Sequence, residues 1–318
     1  ALATLGVNAG AAVAQCADFN NVTVSVSPQP VIASYDPFAT VAAERLMNIR
    51  INNNGATPCN AAISFQRIDG LPALMTSGAE TLTYDLVRNS DLSSLVTQAG
   101  FVLGSAPPPA RRHNYGNIAA GGNASRTVRF VVPTAQVKAA GTYMDTGVEL
   151  ILLALNASNQ PIDARVIPSF ADPSATVISK CILPAPTTTN LSFSAGDIPN
   201  GRPNEGVVKT TSFTNVQCTA PTKLRLTGGA LLPTTVTQPR AGFDNFINWR
   251  AQGTFGAANS TLQTAGSATI SDTSSAKNVA SGATSNGQIN ISVNLINGQP
   301  VIAGTYSGTL TVSIDPSF

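Results

Sequence analysis

The chain has 318 residues, of which 43% are hydrophobic and 11% are charged, and its formal net charge at pH 7 is +2. This low charged fraction excludes a highly charged disordered chain and argues against a helical bundle with many charged surface residues. The cations form no blocks, so a nucleic-acid partner is not expected. A single histidine, His113, leaves few options for catalysis or metal binding. The composition therefore favours a binding or structural protein, and the length suggests two domains.

The first 14 residues are small and apolar and end in the A-x-A-like sequence AVA. This pattern is typical of the tail of a secretory signal peptide, and cleavage after Ala14 would start the mature chain at Gln15. The alternative is an extended strand, because every second residue from Leu5 to Val13 is apolar. We treat residues 1–14 as a signal-peptide remnant.

Apolar and polar residues alternate with period two in several segments. The clearest are residues 22–26, 47–51, 289–295 and 309–314. Such runs, bounded by turn residues, predict half-buried antiparallel strands. Helical periodicity is confined to the short segments 39–46 and 90–98. The sequence therefore predicts an all-β protein.

A weak internal repeat indicates two similar halves. The tetrapeptide AGTY occurs at 140–143 and again at 303–306, and the cysteines recur with nearly the same spacing. We predict two immunoglobulin-like β-sandwich domains in tandem, with the boundary inside residues 172–180. The N-terminal domain would span residues 15–175 and the C-terminal domain residues 176–318.

Four cysteines allow three disulfide pairings. The absence of a C-x-x-C motif from the sequence makes a structural metal unexpected. The pairs Cys16–Cys59 and Cys181–Cys218 are favoured because each then lies within one half of the chain. Disulfides indicate an oxidising compartment.

The two halves differ after the AGTY motif. The first half continues with two candidate strands, at 164–167 and 175–178, whereas the second stops at Phe318. If the fold needs a strand after this motif, the second half has an open hydrophobic groove with unpaired backbone groups. Such a groove is a template for a strand from another chain. The residues expected to line it are Tyr306, Leu310, Val312 and Ile314.

Several segments resemble the spore coat protein U-like pilin family. In the first half the resemblance rests on Cys16 with its following strand, on ASYDP at 33–37 and on TYDL at 83–86. Residues 303–314 resemble the closing strand of archaic, Csu-type chaperone–usher pilins. A chain of two such domains resembles the tip adhesin subunit of these pili. The second half departs from the pattern because no YDP sequence follows Cys181.

The resemblance implies a self-complete N-terminal domain and a C-terminal domain that lacks its last strand. It implies four partners: a periplasmic chaperone, an outer-membrane usher, the next pilus subunit as strand donor, and a surface or host ligand. It also implies export through the periplasm to the cell surface, with Phe318 as a chaperone contact. Cleavage after Ala14 would leave no donor strand and favour a tip subunit. The alternatives are a shaft or adaptor pilin, and a secreted coat or matrix protein that assembles through the same groove.

Two stretches of the N-terminal half, 70–75 and 101–123, combine apolar residues with turn formers and are predicted to be adhesive loops. The alternative is that their apolar side chains belong to the core. The residues expected to act in adhesion are Leu71, Leu74, Met75, Pro108 and Tyr115.

Catalytic motifs are lacking in the sequence, which has neither G-x-S-x-G nor a P-loop. We therefore expect neither enzymatic activity nor a cofactor. A carbohydrate-binding platform around Trp249, the single tryptophan, is a further alternative, although a core position is favoured for this residue.

Overall fold

The computed structural model describes residues 16–67, 73–97, 107–184, 189–235, 240–278 and 283–316. Their regular structure is β-strand apart from four short 3-10 helices, Phe19–Asn21, Pro109–Arg111, Ala195–Asp197 and Pro199–Gly201. None of the helices in these ranges is long and apolar enough to span a membrane. The chain forms two compact units: the described residues up to 136 with 142–176, and residues 137–141 with those from 177 onward.

The first unit is built from three sheets, in which the strand pairs are mostly antiparallel. Their orders are β1-β3-β10-β7, β2-β14-β11-β5-β6 and β13-β12-β4-β8, and β9 also pairs with β4. The strands are β1 (Val22–Ser27), β2 (Val31–Tyr35), β3 (Ala43–Asn53), β4 (Cys59–Arg67), β5 (Leu74–Ser77), β6 (Glu80–Thr83), β7 (Asp85–Arg88), β8 (Val96–Thr97), β9 (His113–Ile118), β10 (Asn123–Val132), β11 (Gly141–Met144), β12 (Val148–Leu155), β13 (Pro161–Ile167) and β14 (Ser174–Val177).

The second unit also has three sheets, but they contain fewer strands. Its sheets are β15-β16-β22-β19-β20, β21-β17-β24 and the two-stranded β18-β23. The strands are β15 (Cys181–Ile182), β16 (Val208–Cys218), β17 (Thr222–Gly228), β18 (Leu232–Pro233), β19 (Trp249–Phe255), β20 (Ala258–Gln263), β21 (Ile270–Thr273), β22 (Thr284–Leu295), β23 (Tyr306–Ser307) and β24 (Leu310–Pro316).

Alternation in the sequence determines which side chains enter the cores. In β3, Met47, Ile49 and Ile51 are buried while the residues between them are exposed. In β22, Ile289, Ile291 and Leu295 belong to the hydrophobic core of the second unit. Successive side chains of a strand point to opposite faces, so one apolar face per strand covers the interior.

The four alternating segments lie in β1, β3, β22 and β24, and the predicted all-β fold of tandem sandwiches is confirmed. The two segments with helical periodicity are not helices. Residues 43–46 begin β3 and pair with β10, from Ala43 opposite Val132 to Leu46 opposite Arg129. The described part of the other segment contains turns and β8. A helix of only two turns is unstable on its own, so the hydrogen bonds and packing of the sheet determine the structure of these residues.

Candidate functional site

The second unit has an open cavity of about 970 Å³, called here the groove. One side is lined by residues 304–312, which include β23 and the start of β24. Further lining comes from residues 189–195 and Ile198 and from β16 and β22, with Trp249 among the deeper residues. No charged side chain lines it among the described residues. The groove is therefore suited to uncharged, apolar side chains.

The predicted groove residues lie along β23 and β24. Tyr306, Leu310 and Val312 line the groove, and Ile314 packs against the same hydrophobic core. The hydroxyl of Tyr306 donates a hydrogen bond to the carbonyl oxygen of Ile302 at 2.8 Å. Burial raises the pKa of this hydroxyl, so it stays protonated and keeps donating. Tyr306 is thereby fixed in β23, four residues before β24 begins.

One edge of β24 is unpaired. The strand pairs with β17 along its other edge, and no described residue pairs with the edge beside the groove. The counterpart of β24 in the first unit is β12, because each follows an AGTY motif and each pairs with a strand near the second cysteine of its unit. In the first unit this strand is β4, which begins at Cys59, and in the second it is β17, which begins four residues after Cys218. The strand β12, in contrast, lies between β4 and β13 and is paired on both edges.

Burial reflects this difference in pairing. The residues from Leu150 to Leu155 in β12 are all 0% exposed. In β24, Leu310, Val312 and Ile314 are only partly buried, although they are also apolar. A strand laid along the open edge would remove this apolar face from water and would satisfy the backbone groups of β24.

The segment 189–198, of which residues 189–195 and Ile198 line the groove, was not singled out from the sequence. Leu191 and Phe193 pack against the core, while Ser192 and Ser194 are exposed. This alternation in LSFS is the signal that could have identified the segment. Its end is fixed by a capping box, in which the backbone N–H of Ser194 donates to Oδ2 of Asp197 at 2.6 Å.

An ion pair also holds this segment. Lys209 Nζ lies 3.6 Å from Oδ2 of Asp197 and 5.8 Å from the ring centroid of Phe193. The backbone hydrogen bond from Ser194, with Lys209 nearby, lowers the pKa of the Asp197 carboxyl. The carboxylate therefore stays ionised and keeps both contacts at neutral pH.

Trp249 lies in the core beside the groove. It is 2% exposed, and its indole N–H donates to the carbonyl oxygen of Gly229 at 2.8 Å. The buried ring is not available as an aromatic platform for a sugar. As the only tryptophan of the chain, it is a specific spectroscopic reporter for the groove.

Two of the residues expected in exposed adhesive loops are buried. Tyr115 lies in β9, is 5% exposed, and donates its hydroxyl hydrogen bond to the carbonyl oxygen of Ile49 at 3.0 Å. Pro108 is exposed and directly precedes the helix Pro109–Arg111. Leu71 lies outside the described residues. Tyr115 is therefore a core residue, contrary to expectation, and Pro108 is at the surface.

The second buried residue is Met75, which is 0% exposed. Leu74 and Met75 begin β5, where Met75 lies opposite Leu82 in a hairpin with β6, and Leu74 is half-buried. The turn contains Gly78 with φ +59°, a conformation that favours glycine. The register of this hairpin turns Met75 inward.

Both favoured disulfides are formed. Cys16 is bonded to Cys59, and Cys181 to Cys218. Cys181 and Cys218 lie opposite each other where β15 pairs with β16. The disulfide therefore anchors β15, the strand that precedes the groove-lining residues 189–195 in the chain. Phe318, the expected chaperone contact, lies outside the described residues.

No family model matches the chain, and no curated protein matches it in sequence. Solved structures with a related architecture include the CsuC–CsuE chaperone–tip adhesion subunit pre-assembly complex of Acinetobacter baumannii (12% identity, TM-score 0.40, 92% of this chain and 99% of that chain). Another is CfaE, the adhesive subunit of the CFA/I fimbria of enterotoxigenic Escherichia coli (10% identity, TM-score 0.34, 91% of each chain).

Proposed function

We propose that the chain is a subunit of a chaperone–usher pilus and that its second unit accepts a donor strand in the groove. One observation carries this proposal: β24 has an unpaired edge beside a groove without charged lining residues among those described. The corresponding edge of β12 in the first unit is paired with β13. In strand addition, backbone hydrogen bonds provide affinity and alternate side chains fill apolar pockets. The groove offers both.

The first unit needs no donor strand under this proposal, because β12 is already paired on both edges. It would bind a surface or host ligand through its loops, including the exposed Pro108, and the chain would be a tip adhesin. A periplasmic chaperone would occupy the groove first, with Phe318 as one contact. The next subunit's strand would replace the chaperone at the outer-membrane usher, and the fibre would lie outside the cell.

A synthetic peptide tests the groove directly. Residues 159–168 provide the probe, because they contain β13, the strand that covers the counterpart edge in the first unit. We expect a saturable change in Trp249 fluorescence when this peptide is added to the full chain. A scrambled peptide of the same composition is the control and should give no saturable change.

Variants in β24 separate groove binding from non-specific association. Val312→Asp places a carboxylate in the groove and should abolish peptide binding, because an unpaired buried charge is strongly disfavoured. Ser313→Asp is the matched control, since Ser313 lies opposite Arg225 and its side chain points to the other face of the strand. The proposal is wrong if the peptide fails to saturate, or if both variants bind it equally well. Circular dichroism would verify that each variant is folded.

A further inference from the structure

The first unit carries a group of cationic side chains with no role in the groove. It is called here the arginine cluster and consists of Arg88 at the end of β7, Arg112 directly before β9, His113 at the start of β9, and Arg126 in β10. Arg88 Nη1 lies 3.4 Å from the carbonyl oxygen of Arg112. Arg126 Nε donates to the carbonyl oxygen of Asn114 at 3.4 Å. Pairing of β7 and β9 with their neighbours thus brings together residues that are distant in sequence.

Only one arginine of the cluster, Arg88, is paired with a carboxylate among the described residues, that of Asp91 at 3.1 Å. Arg112 is 6% exposed and, within the part of the chain that the structure describes, donates to the carbonyl oxygens of Pro107 and Asn159. Among the described residues, neither Arg112 nor Arg126 has a carboxylate within salt-bridge distance. A cation buried without a carboxylate is costly, so an additional anion at this position would be stabilising.

His113 provides a second, independent observation. It is 8% exposed, and its Nδ1 is buried without a hydrogen-bond partner among the described residues. Burial, Arg126 and Arg88 lower the pKa of its imidazole to about 4, against a weaker opposing effect of Asp91. That carboxylate is 48% exposed and is already paired with Arg88 at 3.1 Å. An unpartnered ring nitrogen therefore lies within a region of positive potential.

The surroundings of the arginine cluster are polar and uncharged. Asn114 and Asn117 on β9 are exposed, and their amides can both donate and accept hydrogen bonds. The aromatic ring at this position, Tyr115, is buried, with the Arg126 guanidinium 5.8 Å from its centroid. Side-chain amides can form hydrogen bonds with the hydroxyl groups of sugars. Binding of single-stranded nucleic acid, in contrast, relies on exposed aromatic rings on which bases stack.

We propose that the arginine cluster binds the carboxylate or sulfate groups of an acidic polysaccharide, with Arg126, which is exposed and has no carboxylate partner among the described residues, as the contact residue. Guanidinium groups bind such oxyanions through paired, charge-assisted hydrogen bonds. Asn114 and Asn117 would bind hydroxyls of the neighbouring sugars. This inference names a ligand for the surface-binding part of the proposed function and rests on that part for its biological meaning.

The test measures binding of defined oligosaccharides to the full chain by calorimetry. The probes are a heparin-derived octasaccharide for sulfate groups, an oligogalacturonate for carboxylate groups, and maltohexaose as the neutral control. We expect one or both acidic probes to bind with an affinity that falls as salt is raised. Arg126→Gln should weaken that binding by roughly tenfold or more. Arg129→Gln on the same strand is the matched control, because Arg129 is already paired with Glu44 at 2.6 Å.

The single histidine supplies a readout that does not depend on a variant. A bound oxyanion offsets the field of the two arginines, so the pKa of His113, followed by NMR, should rise when the acidic probe is present. Four outcomes would overturn the inference: equal binding of maltohexaose, binding of inorganic sulfate alone, tighter binding of an oligothymidylate, or an unchanged affinity in Arg126→Gln. Peptide binding at Trp249 is measured in the other unit, so each proposal can fail without the other.

Discussion

A methyl group added at Gly228 would lie 2.7 Å from Cζ2 of Trp249. The indole ring thus covers the end of β17, while its N–H is bonded to the next residue, Gly229. A larger residue at position 228 would push the ring out of its place or move the adjacent strand, since the carbonyl oxygen of Thr309 is only 3.0 Å from the same point. This close approach leaves no room for a side chain at position 228 beside Trp249, which lines the groove.

Gly228→Ala should therefore destabilise the second unit. We expect a loss of about 1–3 kcal/mol in the free energy of unfolding, as for other overpacked core positions. Chemical unfolding followed by Trp249 fluorescence gives the value. Gly304→Ala is the control, because an added methyl group there meets no atom within 4 Å. Equal losses in both variants would mean that the contact with Trp249 does not limit this position.

Arg165 connects β13 to residues 19–22 of the first unit. Its Nη1 donates to the carbonyl oxygen of Asn20 at 3.2 Å, its Nη2 donates to that of Val22, and its guanidinium lies 5.8 Å from the ring centroid of Phe19. Arg165→Ala should cost about 2 kcal/mol, because it removes two hydrogen bonds from a charged donor. Faster amide hydrogen exchange in β13 should accompany this loss. Arg50→Ala, at an exposed site on β3, should change neither quantity.

The strands were predictable because period-two alternation is a local property of the chain. Alternation identified β1, β3, β22 and β24, and the face shared by Leu310, Val312 and Ile314 indicated one side of the groove. The second side was missed, because only the three-dimensional path of residues 189–198 shows that they return to the same core. Between the two candidate strands after the first AGTY motif, only pairing in the fold identifies β13 as the neighbour of β12.

Exposure was harder to predict than strand position. Turn-rich composition at 70–75 indicated a loop, but the hairpin register turns Met75 inward, and a shift of one residue would have reversed this. The arginine cluster was equally hard to predict, because Arg88 and Arg126 reach the backbone of residues 112–114 only when β7, β9 and β10 are in place. Both cases depend on contacts between residues that are distant in sequence, and neither composition nor periodicity gives information about such contacts.

The disulfide between Cys181 and Cys218 closes a loop that includes residues 189–198, with a sequence separation of 37. Replacing both cysteines with alanine should lower stability by about 4 kcal/mol on the chain-entropy model. It should also weaken binding of the 159–168 peptide, because one side of the groove would be less well fixed. Titration with Trp249 fluorescence measures this effect.

The control is the matched double alanine variant of Cys16 and Cys59, whose sequence separation is 43. It should lose similar stability in the first unit and retain the wild-type affinity for the peptide. If both double variants bind the peptide as the wild type does, the disulfide between Cys181 and Cys218 stabilises the unit without shaping its groove.

His113 should make the stability of the first unit depend on pH. In the folded state, burial together with Arg126 and Arg88 lowers the imidazole pKa from 6.5 to about 4. Above pH 6.5 the ring is neutral in both states and contributes no pH dependence. As the pH falls below 6.5, the unfolded chain takes up a proton that the folded unit does not accept until about pH 4. Stability is therefore lost across this window, by about 2 kcal/mol between pH 7 and pH 5.

Urea unfolding followed by near-ultraviolet circular dichroism at several pH values measures this loss. His113→Gln removes the titrating ring, so the difference in stability between variant and wild type should change by that amount as the pH is lowered from 7 to 5. A constant difference would show that His113 titrates alike in the folded and unfolded chain. An acidic oligosaccharide bound at the arginine cluster should raise the folded-state pKa, so the wild-type loss should shrink in its presence, because the folded unit then accepts the proton at a higher pH.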